Sequence, residues 1–157
     1  METPADHATI EGRTVTASAL VGAPPEEVFA LLADPHRHHE FDGSGTVRAA
    51  VSGPRQLQLG DRFGMDMKQG FSYRISNRVV EFEPDRRIAW CHLAKAIWRY
   101  ELEPVPGGTR ITETFDYSGS PVRRGIELLG FPKGNAKSIR DTLHRLQEIF
   151  GTQPAQS

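Results

Sequence analysis

A single cysteine, Cys91, occurs in 157 residues, which excludes an internal disulfide and fits a reducing compartment. Long hydrophobic runs are missing, and none approaches the ~20 residues of a membrane-spanning helix. An excess of either charge is missing too: 19 Lys and Arg face 20 Asp and Glu, a net charge of -1. No strong basic patch advertises nucleic acid, and no acidic tail appears. The first residues, Met1 to His7, are polar and acidic, unlike the basic and apolar start of a signal peptide. The expected location is therefore the cytoplasm. No P-loop, dinucleotide fingerprint or G-x-S-x-G nucleophile elbow is present.

What is present is globular: 38% hydrophobic and 25% charged residues, enough chain for one domain with a real core. We expect that domain over 13–150, between a flexible N-terminus at 1–12 and a flexible tail at 151–157. The longest periodic segment comes last. Ala136, Ile139, Leu143, Leu146 and Phe150 recur at spacings of three and four. At 3.6 residues per turn they fall within roughly 80° of one helix face. Asp141 precedes Arg145 by four, the favourable order for a helical ion pair.

Almost everything before that helix reads as strands. Arg13–Val21 is rich in β-branched residues and places Val15, Ala17, Ala19 and Val21 on one face. Pro24 and Pro25, followed by Glu26 and Glu27, mark a helix start, and Asp34-Pro35 ends that helix. His36–Phe41 reads as a second short helical turn. Phe63, Met65 and Met67 then alternate with polar residues. So do Ile88, Trp90 and His92, next Trp98, Tyr100 and Leu102, and finally Ile111, Glu113, Phe115 and Tyr117. Short turns between these runs imply an antiparallel sheet, and the apolar face of that sheet needs a cover. Pro121–Leu129 reads as a short helix and Gly130–Gly134 as a kink or hinge before the long one.

Three stretches resemble the polyketide cyclase/dehydrase and lipid-transport superfamily, the START-like or SRPBCC group. They are A-P-P-E-E-V-F-A-L-L-A-D-P from Ala23, N-R-V-V-E-F-E-P-D-R-R-I-A-W from Asn77, and W-R-Y-E-L-E-P-V-P-G-G-T-R-I-T-E-T-F from Trp98. The resemblance implies an α+β helix-grip fold. A curved antiparallel sheet of about six to seven strands would wrap around the long C-terminal helix, with two short helices after the first strand. It also implies a hydrophobic cavity between sheet and helix. Relatives often carry Trp in the turn after the first helix, where Phe41 is the nearest aromatic here. The superfamily includes carriers, receptors, cyclases and chaperone-activating domains, so fold alone does not select an activity.

Glu113 is the foremost titratable candidate, because its strand face is otherwise apolar. A carboxylate there has its charged form disfavoured and can serve as a general acid or base. The alternative is a hydrated edge or an ion pair with an Arg. His92 shares a face with Ile88 and Trp90 and is the second catalytic candidate. His36, His38 and His39 lack the i, i+4 spacing of a helical zinc pair, and a closed site needs about four ligands, so no metal is expected. No cofactor is expected either. Arg74 and Arg78 read as a solvated face that can also receive an acidic group.

Phe41, Met65, Met67, Trp90 and Trp98 are candidate ligand-binding residues on the apolar side. Tyr100, Phe115 and Tyr117 join them from the sheet, and Ile139, Leu143 and Leu146 from the helix. The sequence leaves open which of them line a cavity and which fill a core. The expected partner is a hydrophobic or amphipathic small molecule: a lipid, an aromatic or a polyketide-like compound. Neither nucleic acid nor an integral membrane segment is expected. The alternatives are a cyclase/dehydrase-type enzyme, possible by resemblance only, and a protein-interaction domain.

Overall fold

The computed structural model describes residues 8–43, 47–69, 71–91 and 95–152, with side chains described at all of these except 47–51, 65–69 and 71–74. The chain opens with β1 (Thr9–Glu11), β2 (Thr14–Val21), α1 (Pro25–Leu32) and a 3-10 helix (Pro35–Glu40). Then come β3 (Val47–Ser52), β4 (Arg62–Gln69), β5 (Phe71–Glu83), β6 (Arg87–Cys91), β7 (Ile97–Val105) and β8 (Gly108–Asp116). α2 (Arg123–Leu128) and α3 (Phe131–Phe150) close the fold.

All strands join one antiparallel sheet of eight, in the order β1-β2-β8-β7-β6-β5-β4-β3. Seven longer strands, β2 to β8, form the expected sheet; the three-residue β1, in the stretch read as flexible, adds an edge by pairing Thr9–Glu11 with Thr14–Thr16 through a turn at Gly12. Gly12 has φ 59°, a left-handed value that glycine adopts without strain. The β7–β8 hairpin turns the same way at Gly107, with φ 81°.

The alternation on β2 is complete. Val15, Ala17, Ala19 and Val21 are buried, and the residues between them are half-buried. Two of the four are alanines, which leaves room for a helix to lie close. α3 packs chiefly on this strand and also reaches β8 and β1. Its buried stripe is Pro132, Ala136, Ile139, Thr142, Leu143 and Leu146.

Several expectations need correction. Phe131 already begins α3, so 131–134 belong to the helix and not to a hinge before it. The break falls at Gly130 alone, whose φ of 78° separates the two helices. Asp141 pairs with Lys137, four residues earlier, at 2.6 Å. Thr152 bridges Val21, and Gly151 accepts a hydrogen bond from Gly22 at 2.9 Å, so the first two residues of the tail are held.

Candidate functional site

The hairpin register sets the site. Counting outward from Pro106-Gly107 brings Tyr100 opposite Glu113. Tyr100 is also opposite Ile88 on β6, and Glu113 opposite Ala17 on β2. One row therefore crosses the sheet as Ile88, Tyr100, Glu113 and Ala17. The next row is Trp90, Trp98, Phe115 and Val15. Ile139, Leu143 and Leu146 belong to the same buried cluster and are fully covered.

Glu113 is 2% exposed in this apolar setting. Tyr100 donates its hydroxyl proton to Glu113 Oε2 at 2.9 Å. Glu113 Oε1 is buried with no partner among the described residues. An ionised carboxylate with one bare oxygen is costly in such a place. Burial accordingly pushes the carboxyl well above its ordinary range, the negative charge of Asp42 adds to the push, and the Tyr100 hydroxyl offsets only part of it. Burial also raises the Tyr100 phenol well above its ordinary range, followed by the effect of Glu113. Both shifts favour the protonated form. With Oε2 accepting from Tyr100, the acid proton is best placed on Oε1. In its protonated form Glu113 is a carboxylic acid with a free donor on Oε1, held in place by Tyr100.

The 3-10 helix closes over one side. Its three-residue repeat puts Pro35, His38 and Phe41 on one side, and all three are buried. His38 is 2% exposed although it lies in the polar run H-R-H-H-E. Its Nε2–H donates to the Leu32 carbonyl at 2.8 Å, which ties the 3-10 helix to the end of α1. Its ring stacks on Trp90 at 4.9 Å and meets Phe41 and Phe63 edge-on. Burial lowers the His38 pKa to about 4, so the ring is neutral. His36 instead pairs with the Gly53 carbonyl, and His39 is exposed. The three histidines diverge, and no group of potential metal ligands forms among the described residues.

Phe41 leads into a loop that touches α3. The Gly43 N–H donates to Thr142 Oγ1 at 2.8 Å. A Cβ on Gly43 would stand 2.6 Å from Asp141 Cβ and from the Ser138 carbonyl. Only glycine lets the loop approach this closely, and the approach carries Asp42 toward Glu113.

The remaining sequence candidates divide plainly. Phe41, Trp90, Tyr100, Phe115 and Tyr117 are buried; the Tyr100 ring meets Phe41 and Trp90, and Phe115 stacks on Tyr117. Trp98 is half-buried against Phe115 at 4.8 Å. Met65 and Met67 lie on β4 opposite Ile75 and Tyr73, with side chains outside the described set. His92 lies outside the described residues altogether. Arg78 is exposed, as a solvated face requires, and the side chain of Arg74 is outside the described set. The outer face carries a shallow charged groove of about 310 Å³, lined by ion-paired side chains such as Arg110 with Glu103 and Arg87 with Glu101. It is not the apolar site the sequence predicts. Sequence reasoning missed Asp42, and it missed Tyr100 as the partner of Glu113.

An antiparallel sheet curved around a long C-terminal helix, with two short helices after the first long strand, defines a helix-grip protein. The profile of the family described as polyketide cyclase/dehydrase and lipid transport matches residues 12–151, and the chain belongs to that family. It is 43% identical over 142 residues to the uncharacterized protein Rv0088 of Mycobacterium tuberculosis, a match over 87% of this chain and 63% of that protein. The chain thus spans less than two thirds of that relative's length. Among solved structures, protein Ms6760 of Mycobacterium smegmatis aligns with a TM-score of 0.66 at 17% identity, over 91% of this chain and 98% of that one. A protein from Arthrobacter aurescens aligns with a TM-score of 0.70 at 16% identity, over 90% of this chain and 91% of that one. At those identities the likeness is one of fold. No helix among the described residues is long and apolar enough to cross a membrane.

Proposed function

We propose that the protein binds a hydrophobic or amphipathic small molecule between the sheet and α3, with Glu113 as the polar anchor. The ligand class is a lipid, an aromatic or a polyketide-like compound, and the location is the cytoplasm. The observation that carries this reading is the buried Glu113 carboxyl, whose Oε1 has no partner among the described residues in a cluster of aromatic and aliphatic side chains. Ligand sites of this kind are mostly apolar, with a few placed polar groups that orient the ligand. The family description fits a ligand of that chemistry.

A free carboxylic acid proton favours a ligand that carries a carbonyl or ether oxygen. Displacement of a bound naphthalene-sulfonate dye tests this. A long-chain ketone should displace the dye up to about tenfold better than an alkane of equal length, the worth of one net hydrogen bond. Glu113→Gln keeps a donor and should keep the preference; Glu113→Leu should lose it. A protein that binds no dye, and carries no co-purified ligand in native mass spectrometry, would refute the reading.

The same acid supports a second reading, a cyclase/dehydrase-type enzyme. There Glu113 protonates a substrate carbonyl, Tyr100 holds the carboxyl in place, and His92 is the second candidate for proton transfer. That activity requires a bell-shaped pH–rate profile and a large rate loss in Glu113→Gln. Ligand binding and catalysis separate at this variant, since binding tolerates the amide and acid catalysis does not.

A further inference from the structure

At the junction of α2 and α3 the chain turns three large apolar side chains outward. Leu128, Leu129 and Phe131 are between 48% and 88% exposed. Their neighbours hold them there. Ile126 and Pro132 are buried on either side of the turn. Gly130 supplies the left-handed residue between the helices. Arg13 Nε meets Glu127 Oε1 at 2.9 Å and ties α2 to the turn between β1 and β2. The apolar set is therefore presented by a fixed corner. Exposed apolar groupings with a polar rim mark surfaces that something covers.

The charge around the corner indicates what covers it. Residues 118–145 hold six Lys and Arg against Glu127 and Asp141, a balance of +4 that leaves -5 for the rest of the chain. Both acids are already paired, Glu127 with Arg13 and Asp141 with Lys137. Arg124 and Lys133 are exposed on either side of the leucines. Arg123 is exposed too, and donates one N–H to the Ser120 carbonyl at 3.3 Å. Apolar tips within a rim of one positive sign match an anionic lipid interface, where acyl chains take the tips and phosphates the rim. A protein partner is the weaker fit, since its binding energy concentrates on Trp, Tyr and Arg while leucine is under-represented.

We propose that the α2–α3 corner docks on an anionic lipid bilayer, with Leu128, Leu129 and Phe131 entering the interface and Arg123, Arg124 and Lys133 facing the lipid phosphates. Docking of this kind is independent of the interior ligand, because a protein with a filled interior presents the same corner.

Sedimentation of the full chain with two kinds of vesicle tests it. One is equal parts phosphatidylcholine and phosphatidylglycerol, the other phosphatidylcholine alone. The protein should bind the anionic vesicles, bind them less as salt shortens the Debye length, and largely ignore the neutral ones. Replacing both leucines (Leu128→Asp with Leu129→Asp) should lower binding about tenfold or more. Arg124→Gln and Lys133→Gln should each lower it about fivefold. Leu59→Asp, at an exposed leucine between β3 and β4, should leave it unchanged. These exposed positions tolerate polar residues, and circular dichroism checks that each variant is folded.

Equal binding to both vesicles, binding to neither, or undiminished binding by the double leucine variant overturns the proposal. So does a wild-type dimer that ignores vesicles and that the double leucine variant dissociates, which would make the corner a self-association surface. Dye and vesicle assays fail separately, so the loss of one reading is not mistaken for the loss of the other.

Discussion

Glu113 and His38 are both buried and both shifted toward their neutral forms, yet they respond to acid in opposite directions. The folded state holds the Glu113 proton more tightly than the unfolded chain does. Its contribution to stability is full below the unfolded carboxyl range near ~4.3 and is lost as pH rises toward the raised folded value. His38 has a folded pKa of about 4. Its contribution is full above the ordinary imidazole value near ~6.5 and is lost as pH falls toward 4. Between those limits the two trends offset each other, so the wild-type profile alone conceals both. Glu113→Gln should be more stable than wild type at neutral pH, with the difference shrinking to near zero by pH 4. Thermal unfolding of the two proteins across that range measures it, and a difference that ignores pH would remove the neutral-acid description. The sequence shows half of this chemistry. Alternation of Ile111, Glu113 and Phe115 gives the inward face; the partner Tyr100 is missed, although its equal distance from the Pro106-Gly107 turn is the signal for it. His38 is concealed because H-R-H-H-E is polar and looks solvated. Only the spacing of three between Pro35, His38 and Phe41 reveals its buried side.

At the scale of elements, α3 is held from two directions. β2 takes its apolar stripe, and the loop after the 3-10 helix takes Thr142. The stripe is legible as period 3.6, and the strand that receives it as Val15, Ala17, Ala19 and Val21. The loop contact is not legible. It depends on Gly43 meeting a residue 99 positions later, and D-G-S-G reads as an ordinary surface loop. Gly43→Ala tests how much the contact matters. The new methyl has no room against Asp141 and Ser138, so the loop or the helix must shift, at about 1–3 kcal/mol. Urea unfolding should show that loss, and an unchanged midpoint would mean that the loop yields without cost. The helix start was misplaced in the sequence for a related reason. Gly134 reads as a breaker, but Pro132 in the first turn and buried Ala136 keep that turn helical.

Across the whole molecule, the sheet order joins the two ends of the chain. β2 has only three-residue β1 on one side, and β8 on the other. The pairing of Thr16 with Thr114 spans 98 positions. During synthesis β2 therefore waits, with its apolar face uncovered, until β8 has left the ribosome. α3 is made later still and completes the core last. Contacts this distant in sequence slow folding toward the millisecond-to-second range. Stopped-flow refolding should fall there rather than in microseconds. Until β8 emerges, the nascent chain displays Val15 and Val21 on an open strand, the kind of edge on which chaperones and misassembly compete.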